Sequence, residues 1–76
     1  MAKETHRISK ETYTSFIGEN EIISFEDDFG VMDYFNADVK GCIVSFMHNY
    51  DDDNYIVAIP PCKLAQKARK AIGVAK

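Results

Sequence analysis

Three groups of residues in this 76-residue chain have the types that chemistry needs: the acidic run Asp51-Asp52-Asp53, the thiol and imidazole of Cys42 and His48, and the cationic series Lys63, Lys67, Arg69 and Lys70. The acidic run invites a cation, but Asp51-Asp52-Asp53-Asn54-Tyr55 lacks the glycine and the distal glutamate of an EF-hand loop. What remains is a solvated hairpin tip, a loose cation site or a display of charge. Consecutive residues of extended chain advance about 3.3 Å, close to the roughly 3.4 Å rise per phosphate along one DNA strand. Joined by Glu26, Asp27 and Asp28 from another tip of the same sheet, the run would make a line of carboxylates with the charge density of a phosphate track.

A thiol nucleophile built from Cys42 and His48 fails on reach. Six residues of strand span about 20 Å, and a base must come within about 3 Å of the thiol proton. Cys42 and Cys62 show neither Cys-x-x-Cys spacing nor a histidine at finger spacing, so they read as two reduced thiols serving as small apolar side chains, with a disulfide as the alternative. Lys63, Lys67 and Lys70 fall within about 60° on one side of a helix, which suits either phosphate contacts or an ordinary solvated face. The chain has no Gly-rich phosphate loop, no Gly-x-Ser-x-Gly elbow and no His-Glu-x-x-His. No catalytic residue, metal ligand or cofactor is therefore assigned, and the chain is expected not to be an enzyme.

Charge is segregated along the chain. Residues 1–10 carry a net +2, residues 11–61 a net −10 with Lys40 the one cation among eleven acids, and residues 62–76 a net +5. A field of that kind keeps the molecule soluble and attracts cationic surfaces at a distance. The apolar share of 46 % is too high for a disordered tail and suits one small domain over residues 1–76. No apolar run reaches the roughly 18 residues of a membrane helix, and the polar start Met1–Lys10 lacks the apolar centre of a signal peptide. A cytoplasmic, membrane-free protein is the expectation.

The elements that must position these groups read as an α+β fold. An antiparallel sheet of four to five strands in meander-like order carries an amphipathic C-terminal helix packed on it. Residues 1–8 are expected to fray. Glu11–Ile17, rich in β-branched and aromatic residues, reads as a strand, with a helix opened by Ser9 as the competing assignment. Glu21–Glu26 reads as a strand, and Gly30 offers a turn position with positive φ. Val31–Phe35 suits a third strand or a short helix. Residues 41–50 and 54–59 form the clearest hairpin, with Tyr50 opposite Tyr55, His48 opposite Val57 and Phe46 opposite Ile59. Pro60-Pro61 ends the last strand, and Cys62–Ile72 is a helix whose Leu64, Ala65, Ala68, Ala71 and Ile72 share one arc.

Neither face of the hairpin is plainly polar, so one face of the sheet calls for a helix, a closed barrel or a second copy of the chain. Small acidic chains without catalytic motifs resemble in composition the compact inhibitors that phages direct against host machinery. The leading expectation is a binding protein whose acidic residues Glu26, Asp27, Asp28, Asp51, Asp52 and Asp53 dock on a basic, nucleic-acid-binding surface of a partner protein. Two other expectations stand beside it. One is a dimeric nucleic-acid regulator contacting phosphates through Lys63, Lys67, Arg69 and Lys70, and the other is a structural subunit of a larger assembly.

Overall fold

The computed structural model describes residues 4–18, 20–27 and 30–74. Its elements are strand β1 (Glu4–Ile8), helix α1 (Lys10–Ile17), strands β2 (Ile23–Asp27), β3 (Gly30–Val39), β4 (Cys42–Asn49) and β5 (Asn54–Ile59), and helix α2 (Ala65–Ile72). The five strands form one antiparallel sheet in the order β1-β5-β4-β3-β2. Strands β2 to β5 follow one another as a meander, and β1 closes the far edge against β5. The fold is α+β, as the sequence pattern indicated.

Two stretches at the start differ from the sequence reading. Glu4–Ile8, expected to fray, is an edge strand held by the full register from Glu4↔Ile59 to Ile8↔Tyr55. Residues 10–17 form a helix instead of a strand. Ser9 caps it by accepting the Thr12 N–H at 3.1 Å, and Glu11 in the first turn suits the positive end of the helix dipole. Composition favoured a strand, but Tyr13, Phe16 and Ile17 recur at helical spacing, and burial of that stripe decided the outcome.

Alternation along the strands sorts the sheet into two unlike faces. Phe35, Cys42, Val44, Phe46, Val57 and Ile59 point to the side covered by both helices and are almost wholly buried. Phe35 and Phe46 stack at 4.9 Å, Phe16 stacks on Phe46 at 5.0 Å, and Tyr13 meets the edge of Phe35 at 5.3 Å. Helix α2 adds Ala68 and Ile72 to this core and ends at Gly73, whose φ of +95° lets its N–H close on the Arg69 carbonyl at 2.9 Å. It begins at Ala65, three residues later than the sequence suggested, and Leu64 and Ala71 stay exposed.

The hairpins fix where the charged ends fall. Lys40 and Gly41, both with positive φ, turn β3 into β4 around the Val39↔Cys42 pair. Asp38 Oδ1 accepts the Gly41 N–H at 2.8 Å. A side chain at Gly41 would be strained at φ +89°, and its Cβ would lie 2.6 Å from Leu64 Cδ1. Between β4 and β5 the register is Asn49↔Asn54, His48↔Tyr55 and Phe46↔Val57, two residues from the expected pairing. Because side chains repeat every two residues, that shift leaves every face assignment of the paired residues intact and moves the four-residue loop from residues 51–54 to 50–53.

Candidate functional site at the acidic end

The start of β3 and the β4–β5 loop lie together at one end of the sheet. Tyr50 N–H donates to the Val31 carbonyl at 3.1 Å, and a Cβ built on Gly30 would sit 3.6 Å from Asp51 Cβ. Asp51, Asp52 and Asp53 are exposed. The loop is shaped by Asn49, whose Oδ1 accepts the Asp51 N–H at 2.9 Å, and by Asp53 at φ +55°. Residues 51–53 therefore follow a turn, not an extended segment, and the phosphate-like axial spacing expected for them is absent. The density of negative charge remains. Glu26 and Asp27 are the last residues of β2, beside this loop in the register Asp27↔Gly30, and Asp28 lies outside the described residues.

Beneath the loop is a carboxylate that sequence reading passed over as a site. Asp33, 8 % exposed, sits on the helix-covered face of β3. Its Oδ1 accepts the Ser24 hydroxyl from β2, and its Oδ2 accepts the Tyr50 hydroxyl from the β4–β5 loop. These two bonds, Ser24 first and Tyr50 second, hold the Asp33 carboxyl below its ordinary range. The same contact pushes the Tyr50 phenol up. Tyr13, packed close by, is pushed up chiefly by burial and then by the Asp33 charge. The signal was available in the strand itself: alternation from Phe35 puts Asp33 on the core face, where a carboxylate must find donors.

His48 completes the scaffold. Its ring stacks on Tyr55 at 4.1 Å with 9° between planes, meets Tyr50 edge-on at 4.6 Å, and its Nε2 lies 3.0 Å from Asp53 Oδ1. The imidazole thus supports the acidic loop from the side and is far along β4 from Cys42, as the strand geometry required. Cys42 instead meets Cys62, with 2.7 Å between the sulfurs.

The remaining charges sort to other places. Lys40, Lys67 and Lys70 line one shallow depression at the end of the sheet opposite the acidic loop. Arg69 does not join them as a free cation, because its Nη1 bonds Glu4 Oε1 at 2.9 Å and its side chain is largely buried. Lys63 is exposed ahead of α2, so the expected four-residue cationic stripe is replaced by a cluster that includes Lys40. Among the acids of residues 11–61, Glu11 and Glu21 are exposed elsewhere, Asp38 serves the β3–β4 turn, and Glu19 is outside the described residues.

The face of the sheet away from both helices is largely apolar. The register places Arg7, Ile56, Met47, Tyr34 and Ile23 in one row across all five strands. Ile23 and Ile43 on this face are 48 % and 57 % exposed, and small Ser45 and Ala58 beside the row leave a groove of about 560 Å³. Among the described residues, no helix is long and apolar enough to cross a membrane, and no three His, Cys, Asp or Glu side chains are grouped to hold a metal ion. No protein-family model matches the chain, and no curated protein or solved structure matches it.

Asp33 makes the fold sensitive to acid. A carboxyl whose folded value is lowered contributes stability that is fully present above its ordinary value of 3.8 and is lost as pH falls through the folded value. Asp33→Asn is expected to show a shallower fall in urea midpoint below about pH 4 than the parent protein. Asp33→Ala is expected to lose about 1–3 kcal/mol at pH 7, because two hydroxyls lose their acceptor. Identical acid profiles for Asp33→Asn and the parent would contradict the anchoring role.

Proposed function

We propose that the chain is a non-enzymatic cytoplasmic binding protein whose acidic end docks on a basic surface of a partner protein, one that ordinarily holds nucleic acid, and so acts as an inhibitor. The observation that carries this reading is the exposed Asp51–Asp53 loop braced from below by Asp33, Tyr50 and His48. A flexible acidic tail would lose conformational entropy on docking, whereas a braced loop presents its charge already ordered. Separation of this end from the Lys40, Lys67 and Lys70 cluster keeps its field from being cancelled inside the molecule.

The defined probe is an arginine nonapeptide. The parent protein is expected to bind it with affinity that falls steeply between low and moderate salt, and NMR shifts are expected to concentrate at residues 50–54. Replacing Asp51, Asp52 and Asp53 by Asn is expected to weaken binding about 10-fold or more at low salt, equivalent to about 1.4 kcal/mol. A control with Glu11→Gln, Glu21→Gln and Asp38→Asn removes the same net charge and is expected to bind nearly as the parent does. Equal losses in the two triple variants would mean that net charge alone matters and would overturn the site. The rival reading, phosphate contacts through Lys40, Lys67 and Lys70, is tested by gel shift with DNA and RNA. A salt-sensitive shift that Lys67→Gln and Lys70→Gln abolish would replace the acidic-docking reading.

The same reading includes a homodimer, with a second copy of the chain as occupant of the open face of the sheet. Five strands about 4.8 Å apart and roughly 20 Å long offer about 500 Å² per copy, so a pair buries about 1,000 Å² or more, the lower bound of a specific interface. A two-fold axis across the strands sets each acidic end toward the Lys40 end of the other copy, whereas an axis along the strands would stack the acidic ends together. Sedimentation at about 100 µM is expected to show dimer for the parent and a dissociation constant raised about 10-fold or more for Met47→Lys. A monomeric parent, or a folded Met47→Lys variant that dimerises equally well, contradicts this face.

A further inference from the structure

Neither the acidic end nor the open face uses the cysteines. Cys42 opens β4 and is completely buried, while Cys62 follows Pro60-Pro61 beyond β5 and is half-buried. Sequence places them 20 residues apart, yet the Cys62 thiol points at the Cys42 sulfur across 2.7 Å, and both thiols are free. That separation is within about 0.7 Å of a covalent S–S bond, so the sulfurs themselves have only a short distance to close. Cys62 is further oriented by the Leu64 N–H, which donates to its sulfur at 3.3 Å.

We propose that Cys42 and Cys62 form a reversible dithiol–disulfide site whose oxidant is a low-molecular-weight disulfide of the glutathione type. The two thiols have unequal roles. Cys42 is sealed in the core, and burial pushes its thiol up to about 11, so it stays protonated at neutral pH. Cys62 is the sulfur that solvent reaches. Its thiolate attacks one sulfur of oxidised glutathione, forming a mixed disulfide and releasing one glutathione, which takes up a proton. Cys42 then attacks the Cys62 sulfur, and its proton passes to the thiolate of the second glutathione as that glutathione is expelled. Two thiol hydrogens and two electrons leave the protein, and one oxidised glutathione becomes two reduced ones. Proximity offsets the high value at Cys42, because the second step is intramolecular between sulfurs already in contact.

The bond would close a loop that contains the entire β4–β5 hairpin, including Asp51–Asp53 at its far tip. It would also tie the segment leading into α2 to the first residue of β4. In a reducing cytoplasm such a bond is conditional, formed when the glutathione balance shifts, and it tightens the base of the hairpin without touching the acidic tip.

The experiment equilibrates the full-length chain at pH 7.5 across a series of reduced-to-oxidised glutathione ratios, quenches with an alkylating agent, and reads the intact mass. Expected is a monomeric chain lighter by two hydrogens with no alkyl label, restored to a doubly labelled dithiol by excess reduced glutathione. Its melting midpoint is expected to rise by about 10 °C or more over the dithiol form. Cys42→Ser is expected to accumulate a glutathione adduct on Cys62, and Cys62→Ser is expected to resist modification. If either variant fails to fold, the mass series on the parent chain still decides. Accumulation of a glutathione adduct on the parent, disulfides only between chains, or a dithiol that persists at the most oxidising ratio would each overturn the proposal.

Discussion

The architecture of the acidic end depends on one carboxylate that is not displayed. Asp33 gathers a hydroxyl from β2 and another from the β4–β5 loop, so its two oxygens tie two other segments of the chain to β3. A buried carboxylate is costly unless its lone pairs are occupied, and here both oxygens are. The consequence reaches the surface, because Tyr50 is the residue immediately before Asp51 and is fixed at both its hydroxyl and its N–H. Three like charges on adjacent residues repel one another, and without that hold the loop would relax away from the sheet.

A second constraint is the one-sidedness of the sheet. Helices α1 and α2 both pack over Phe35, Phe46 and their neighbours, leaving the opposite face to solvent. Ridge and groove on that open face arise from the sequence in a simple way: large Met47 and Tyr34 stand in one row, while Ser45 and Ala58 in the next row are too small to fill the level. The molecule measures 34 × 28 × 18 Å, so the helix layer and one sheet account for its whole thickness. Charge is arranged along the strands, acidic at the β4–β5 loop and basic at Lys40, Lys67 and Lys70, while hydrophobicity is arranged across them. These two perpendicular asymmetries follow from one topology.

Much of the fold was legible because local signals and tertiary needs agreed. The β4–β5 hairpin, the positive φ of Gly30 and the helix ending at Gly73 carry turn or breaker residues at the required points, whereas β3 is a strand that runs on through Asn36–Asp38 to Val39, past the Val31–Phe35 stretch that suited either a strand or a short helix. The α1 segment was less legible, since Thr12, Thr14 and Ile17 suggest strand while the Ser9 cap and the spacing of Tyr13, Phe16 and Ile17 specify helix. The register differs by two because β4–β5 pairing stops at Asn49↔Asn54, while Tyr50 bonds to Val31 and Asp33 of β3 instead of facing Tyr55, long-range bonds that no local pattern encodes. The turn at residues 51–53 agrees with the hairpin-tip reading of the acidic run, and the extended, phosphate-like spacing set beside it is not what the chain adopts. Pairing of Arg69 with Glu4, 65 residues away, was equally hidden and removes a cation from the expected stripe.

The most direct measurement is amide hydrogen exchange in Asp33→Ala compared with the parent protein, followed residue by residue at pH 7. If Asp33 is what holds the acidic loop to the sheet, the Tyr50 amide bonded to Val31 will exchange many-fold faster, while amides of Val44 and Phe46 keep their protection after correction for global stability. A Tyr50 amide that slows or stays unchanged, or a loss of protection spread evenly over β4 and β5, would contradict the account.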